Sequence, residues 1–121
     1  MKITRILHVS VNVLDRLDES RVFYRDLLEL PTTPRPEIPG VDGHWFRIGG
    51  TELHLVDAPV PDVGIAPTAQ HWCVGVADLA GAVDELEQRG IPYVQGAQGD
   101  VRQIWFCDPA GNVIELQEDR P

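Results

Sequence analysis

Cysteine is scarce in this sequence, with two residues, Cys73 and Cys107, among 121. They form no CxxC pair, so neither a disulfide framework nor a thiolate metal cluster is expected. Positive charge is also scarce. Ten Lys and Arg stand against nineteen Asp and Glu, a formal charge of −9, which argues against nucleic acid and anionic membrane surfaces as partners. No apolar run approaches the roughly 20 residues of a membrane span, and "MKITRILHVSVNV" lacks the apolar core and cleavage site of a secretory signal. A cytoplasmic location is the expectation. What remains is 43% apolar and 24% charged residues, enough for one compact domain with a core of its own.

Within that domain the sequence repeats. "LHVSVNVLD" aligns with "QHWCVGVAD", so that His8 matches His71, Val11 matches Val74 and Asp15 matches Asp78. Each copy runs into a stretch with apolar residues at helical spacing, "DRLDESRVFYRDLLEL" and then "DLAGAVDELEQRG". Each helix ends on an apolar-Pro pair, Leu30-Pro31 and Ile91-Pro92. From those prolines the register holds, because Pro31 to His54 and Pro92 to Glu115 both span 23 residues. The pattern predicts a strand–helix–three-strand unit, βαβββ, used twice in an α+β fold. Module one covers about residues 1–57 and module two about 69–121. The Pro-rich stretch at about 58–68 is a linker.

Strand side chains alternate between faces, so parity assigns each residue a side. Leu7, Val9, Val11 and Val13 share one face of the first strand, while His8, Ser10 and Asn12 take the other. By the same count His71 and Cys73 oppose Trp72 and Val74. His54 opposes Leu53 and Leu55, and Glu115 opposes Ile114 and Leu116. His8, His54, His71 and Glu115 therefore leave the face that helices cover, from the first and last strands of both modules. Three of the four histidines in the chain occupy these positions. Imidazole nitrogens with a carboxylate are a donor set for a divalent first-row metal. Convergence of the four in one concave sheet surface is the expectation. Ser10, Asn12, Cys73 and Gln117 are candidates to line a pocket beside it, Trp45, Phe46, Trp105 and Phe106 are candidates for its apolar wall or equally for core packing, and His44 is read as a structural or pocket-wall residue.

The paired units, with "FYRDLLEL", "TELHLV", "QHWCVGVADL" and "DPAGNVIEL", resemble the vicinal-oxygen-chelate superfamily of glyoxalases, bleomycin resistance proteins and extradiol dioxygenases. The resemblance covers essentially the whole chain. It implies a cup-shaped, incompletely closed mixed β-barrel with helices outside. It also implies one divalent ion per site (Fe2+, Mn2+, Ni2+, Co2+ or Zn2+) held by His8, His54, His71 and Glu115. A small substrate would chelate that ion through adjacent oxygens, and the protein would be a homodimer.

Within the superfamily, glyoxalase I carries Glu or Gln where this chain has His54, and Arg where it has Asn12. A fosfomycin-resistance assignment fits poorly around "QGAQGDVRQIWF". Extradiol dioxygenases use two His and one Glu, which His8, His71 and Glu115 would supply. The run "RPEIPGVDGHWFRIGG" is most similar to small stand-alone glyoxalase-like proteins. The implied activity is metal-dependent proton transfer of the isomerase or lyase type, with Glu115 as the proton carrier, or a dioxygenase reaction. The alternative is a non-catalytic drug- or small-molecule-binding protein of the same fold.

Overall fold

A computed structural model describes residues 2, 4–62, 64–68 and 70–119. Ala69, the expected start of the second module, lies outside them. The chain divides into two compact units, residues 1–60 and 61–121. The fold is α+β, with one sheet of three strands and one of four.

In the first unit, strand β1 (His8–Asn12) leads to helix α1 (Leu17–Val22). The helix runs on as a π-helical turn, Phe23–Leu27, before β2 (Gly43–Ile48) and β3 (Thr51–Val56). The sheet order is β1-β3-β2, with β1 parallel and β2 antiparallel to β3. Parity sorts the side chains as expected. Phe46, Leu53 and Leu55 are fully buried on the side where α1 packs against β2 and β3, and each such side chain contributes about 2 kcal/mol. Tyr24 of the π-helical turn joins them at 0% exposure. The helix stops at Glu29, which takes a positive φ of 54° while Leu30 N–H donates to Tyr24 O at 3.1 Å.

One expected strand of this unit is nearly absent. Between the helix and β2 only a single antiparallel bridge forms, Thr32 with Phe46. Thr33 N–H donates to Trp45 O and Arg47 N–H to Pro31 O, both at 2.9 Å. The cause is the segment's composition, since "PTTPRPEIP" carries four prolines, and proline has no N–H to give a ladder.

The second unit holds the complete βαβββ order: β4 (His71–Val76), α2 (Leu79–Gln88), β5 (Tyr93–Gln98), β6 (Val101–Cys107) and β7 (Val113–Glu118). Its sheet runs β4-β7-β6-β5, again with the first and last strands parallel. Asp78 caps α2 by accepting from Gly81 N–H at 2.9 Å. Leu79 and Leu86 bury the helix's apolar stripe, and the helix packs against β7.

The turn between β6 and β7 is built by buried Asp108. Its Oδ1 accepts from the N–H groups of Ala110 at 3.0 Å and Asn112 at 2.8 Å, and its Oδ2 from the Asn112 side-chain amide at 2.8 Å. Gly111 takes φ +94°, which costs a residue without Cβ little. This turn fixes the β6–β7 register and so places Glu115 opposite Trp105. No helix among the described residues is long and apolar enough to cross a membrane.

Candidate functional site

Both units carry the same construction on the sheet face turned away from their helices. In the first, the parallel β1–β3 ladder pairs Ser10 with His54 and sets His8 one diagonal step away, opposite Glu52. In the second, the parallel β4–β7 ladder pairs Cys73 with Glu115 and sets His71 one diagonal step away, opposite Val113. The antiparallel neighbour then adds a tryptophan at the matching place, Trp45 beside His54 and Trp105 beside Glu115. The sequence repeat is thus a repeat of ladder position.

In the second unit His71 Nε2 lies 3.7 Å from Glu115 Oε2. Glu115 is 5% exposed, and its other oxygen, Oε1, accepts a 2.7 Å hydrogen bond from the Gln103 side-chain amide. Buried carboxylates need such partners, because an unpaired one costs several kcal/mol. The Cys73 thiol is pushed up to about 12, first by burial, then by its hydrogen bond to Glu115 and that residue's charge. It is a proton-bearing thiol at neutral pH and no thiolate nucleophile. Trp105 lies across Gly96, where a Cβ would stand 2.7 Å from the indole. Its ring N–H is buried and meets no hydrogen-bond acceptor among the described residues.

In the first unit the rings stack. Trp45 and His54 lie with centroids 3.8 Å apart and planes within 5°, and His8 covers the other face of His54 at 4.2 Å and 16°. The edge of His54 is held too, with Nε2 3.2 Å from Glu52 Oε1. Glu52 Oε2 in turn lies 3.4 Å from Arg47, which also donates to Thr33 Oγ1 at 3.1 Å.

His44, on the opposite face of β2, bonds through Nε2 to Thr32 Oγ1 at 2.9 Å. Its ionisation is lowered by burial and then by the positive charges of Arg21 and Arg25. It is a structural histidine on the helix side. Phe46 and Phe106, at 0% exposure, belong to the core, whereas Trp45 and Trp105 belong to the candidate site. Asn12 is tied by its amide to Pro59 O at 3.1 Å. Three residues on these faces escaped sequence reasoning: Glu52 and Arg47 in the first unit and Gln103 in the second. Glu52 shares parity with the candidate ligand His54, and Arg47 and Gln103 share it with the pocket candidates Trp45 and Trp105, which is the signal that finds them.

The donor chemistry fits a divalent ion, since neutral imidazole and carboxylate are ordinary ligands for one. Two ligands each about 2.1 Å from one ion stand roughly 3 to 3.5 Å apart, close to the His71–Glu115 spacing of 3.7 Å. The first unit differs. An imidazole binds a metal through a lone pair in its ring plane, so rings stacked at 4.2 Å do not aim at one point. His8 is the exposed ring, while His54 is clamped by Trp45 and Glu52. Among the described residues no group of three or more His, Cys, Asp or Glu side chains stands close enough to hold a metal. The structure therefore brings the four candidates together as two pairs.

The Glyoxalase/Bleomycin resistance protein/Dioxygenase superfamily model matches residues 5–116. The chain belongs to that superfamily. It is similar to "Glyoxylase I 4" of Arabidopsis thaliana, with 31% identity over 125 residues that cover 96% of this chain and 71% of the relative. Among solved structures, a glyoxalase family protein from Bacillus anthracis shares 28% identity at a TM-score of 0.84, covering 99% of this chain and 98% of its own. A lactoylglutathione lyase from Agrobacterium tumefaciens shares 27% at 0.75, covering 97% and 95%.

Proposed function

We propose that the chain is a divalent-metal-dependent, glyoxalase-like enzyme acting on a small substrate that chelates through two adjacent oxygens. The observation that carries the reading is the diagonal ligand pair built twice, His8 with His54 and His71 with Glu115. A solvent-facing pair at one place in a sheet is ordinary, but the same pair at repeat-equivalent places, each beside a tryptophan, is a constructed site. Relatives named as glyoxylase and lactoylglutathione lyase support an isomerase or lyase reaction.

His8, His54, His71 and Glu115 hold the ion in this reading. When bound, it supplies a Lewis acid that stabilises negative charge on the substrate oxygens. Glu115 moves the proton. Gln103 fixes Oε1, so Oε2, the oxygen nearer His71, is both the ligand atom and the base, and would have to leave the ion to take a proton from the substrate carbon and return it. Ser10 on the first unit's face and Cys73 on the second's are the small polar candidates beside these ligands. The reading includes a cytoplasmic homodimer, whose mass light scattering measures.

The test is elemental analysis of protein purified without chelators, beside His8→Ala and Glu115→Ala. About one divalent ion per chain, lost in both variants, is the expected result. No ion after reconstitution with Fe, Mn, Ni, Co or Zn overturns it. Bound iron with oxygen uptake on catechols identifies a dioxygenase instead. One observation favours a second reading, the non-catalytic binder: the stacked His8 and His54 rings do not aim their in-plane lone pairs at one point. Tight binding of a planar drug without turnover, unaffected by a chelator, establishes it.

A further inference from the structure

We infer that Arg35 is a specificity-determining residue of the first unit, the cation that receives an oxyanion, carboxylate or phosphate, carried by the ligand. It rests on the reading of this face as one that takes a small ligand, and it draws on no metal ion. The sequence prepares the position. Arg35 stands between Pro34 and Pro36, and a residue before proline is held extended. Counting on from the antiparallel Thr32–Phe46 bridge sets Arg35 against Gly43. Strand alternation then gives it the side of Thr33, which bonds Arg47, and not the side of Thr32, which bonds His44. Arg35 therefore lies on the face that carries Trp45 and His54.

Gly43 makes the seat. A Cβ there would strike Leu55 O and stand 3.0 Å from Arg35 Nε and 3.2 Å from its Nη2, so the guanidinium fills the space that glycine leaves. Nη2 donates to Val41 O at 2.8 Å, which holds the group in place. Nε is buried and meets no acceptor among the described residues. Nη1 makes no hydrogen bond among them and is not one of the buried unpartnered atoms, so it is the edge open to a ligand.

Charge points the same way. Arg16, Arg21, Arg25, Arg47 and Arg89 each lie against a carboxylate, whereas Arg35 makes no ion pair among the described residues. Asp57, which follows β3 at this corner, accepts instead from Asp15 N–H at 3.2 Å. An uncompensated guanidinium in a chain of formal charge −9 is the exception, and its planar fork matches carboxylate and phosphate oxygens. Gly43 and Trp45 are about 7 Å apart along β2, within the span of a small molecule lying against Trp45.

The test uses the full chain freed of metal by a chelator, with acetate and inorganic phosphate as probes. The Arg35 Nε–H signal in nitrogen–proton correlation spectra reads binding in the wild type, and the Gly43 amide and Trp45 indole signals read it in the variants. A saturable shift is expected. Arg35→Lys keeps the charge and the reach to Val41 O but not the fork, and weakens binding roughly 10- to 100-fold; Arg35→Met abolishes it. Arg5, likewise tied to one carbonyl, Gly50 O at 3.0 Å, is the control, and Arg5→Met leaves binding unchanged. Tighter binding of phosphate identifies a phosphoryl group and tighter binding of acetate a carboxylate, and both support the assignment. A shift that stays linear in anion concentration overturns it. So does binding unchanged in Arg35→Lys, which decides alone if Arg35→Met does not fold, or binding weakened equally by Arg5→Met. The metal reading survives those outcomes, and its own failure in elemental analysis leaves the anion site standing.

Discussion

The Gln103 amide donates to Glu115 Oε1 at 2.7 Å across the β6–β7 ladder, in a position where the carboxylate is 5% exposed. A hydrogen bond to a charged group of this kind contributes about 1.5–3 kcal/mol. Gln103→Leu is expected to lower unfolding free energy by about 2 kcal/mol, measured by urea denaturation. Adding Glu115→Gln to the Gln103→Leu variant should recover part of that loss, because the buried charge is gone.

Stability should fall below neutral pH through His44. Burial and the nearby Arg21 and Arg25 lower its ionisation in the fold, so below about pH 6.5 the unfolded chain takes up a proton before the folded one does. Stability from this group is complete above about 6.5 and is lost as pH falls toward the lowered folded value. His44→Gln, which retains a side chain able to bond Thr32, is expected to flatten this part of the curve. Unfolding midpoints of both proteins at pH 7.5 and 5.5 make the comparison.

Cys73 should alkylate slowly. At about 12 it holds roughly a thousandfold less thiolate at pH 8 than an ordinary thiol near 8.5. The greater intrinsic nucleophilicity of a basic thiolate offsets part of this. In a Cys107→Ser background, iodoacetamide is expected to react ten- to a hundredfold more slowly than with a model thiol. Glu115→Gln should speed the reaction, since both its hydrogen bond and its charge raise the thiol.

Asp108→Ala removes the acceptor for three hydrogen bonds in the turn that feeds β7. A loss of about 3 kcal/mol is expected, read by thermal or urea unfolding. Faster amide exchange should be confined to the β6–β7 hairpin.

Much of this architecture was legible because period-two alternation and proline spacing are local. Parity alone assigned His8 and His54 to one face of the first sheet and His71 and Glu115 to one face of the second, and the 23-residue spacing aligned His54 with Glu115. What was illegible depends on cross-strand register. Parity in "TELHLV" puts Glu52 and His54 on one face, but the bond between them also depends on Trp45 and Arg47, which reach them from β2. The Trp45–His54–His8 stack needs β2, β3 and β1 side by side in a particular register. The π-helical turn at Phe23–Leu27 is likewise hidden, since the same apolar spacing suits an uninterrupted α-helix.

The lone bridge between Thr32 and Phe46 has a bearing on solubility. β2 is an outer strand of its sheet, and a bare outer strand invites another chain to add to it. Here that flank is met by a proline-studded segment that touches it at Pro31 and Thr33 and then leaves. Proline offers no donor for continued pairing, so the segment occupies the flank without extending the sheet. Replacing Pro31, Pro34 and Pro36 with threonine would turn a stopper into a template for aggregation.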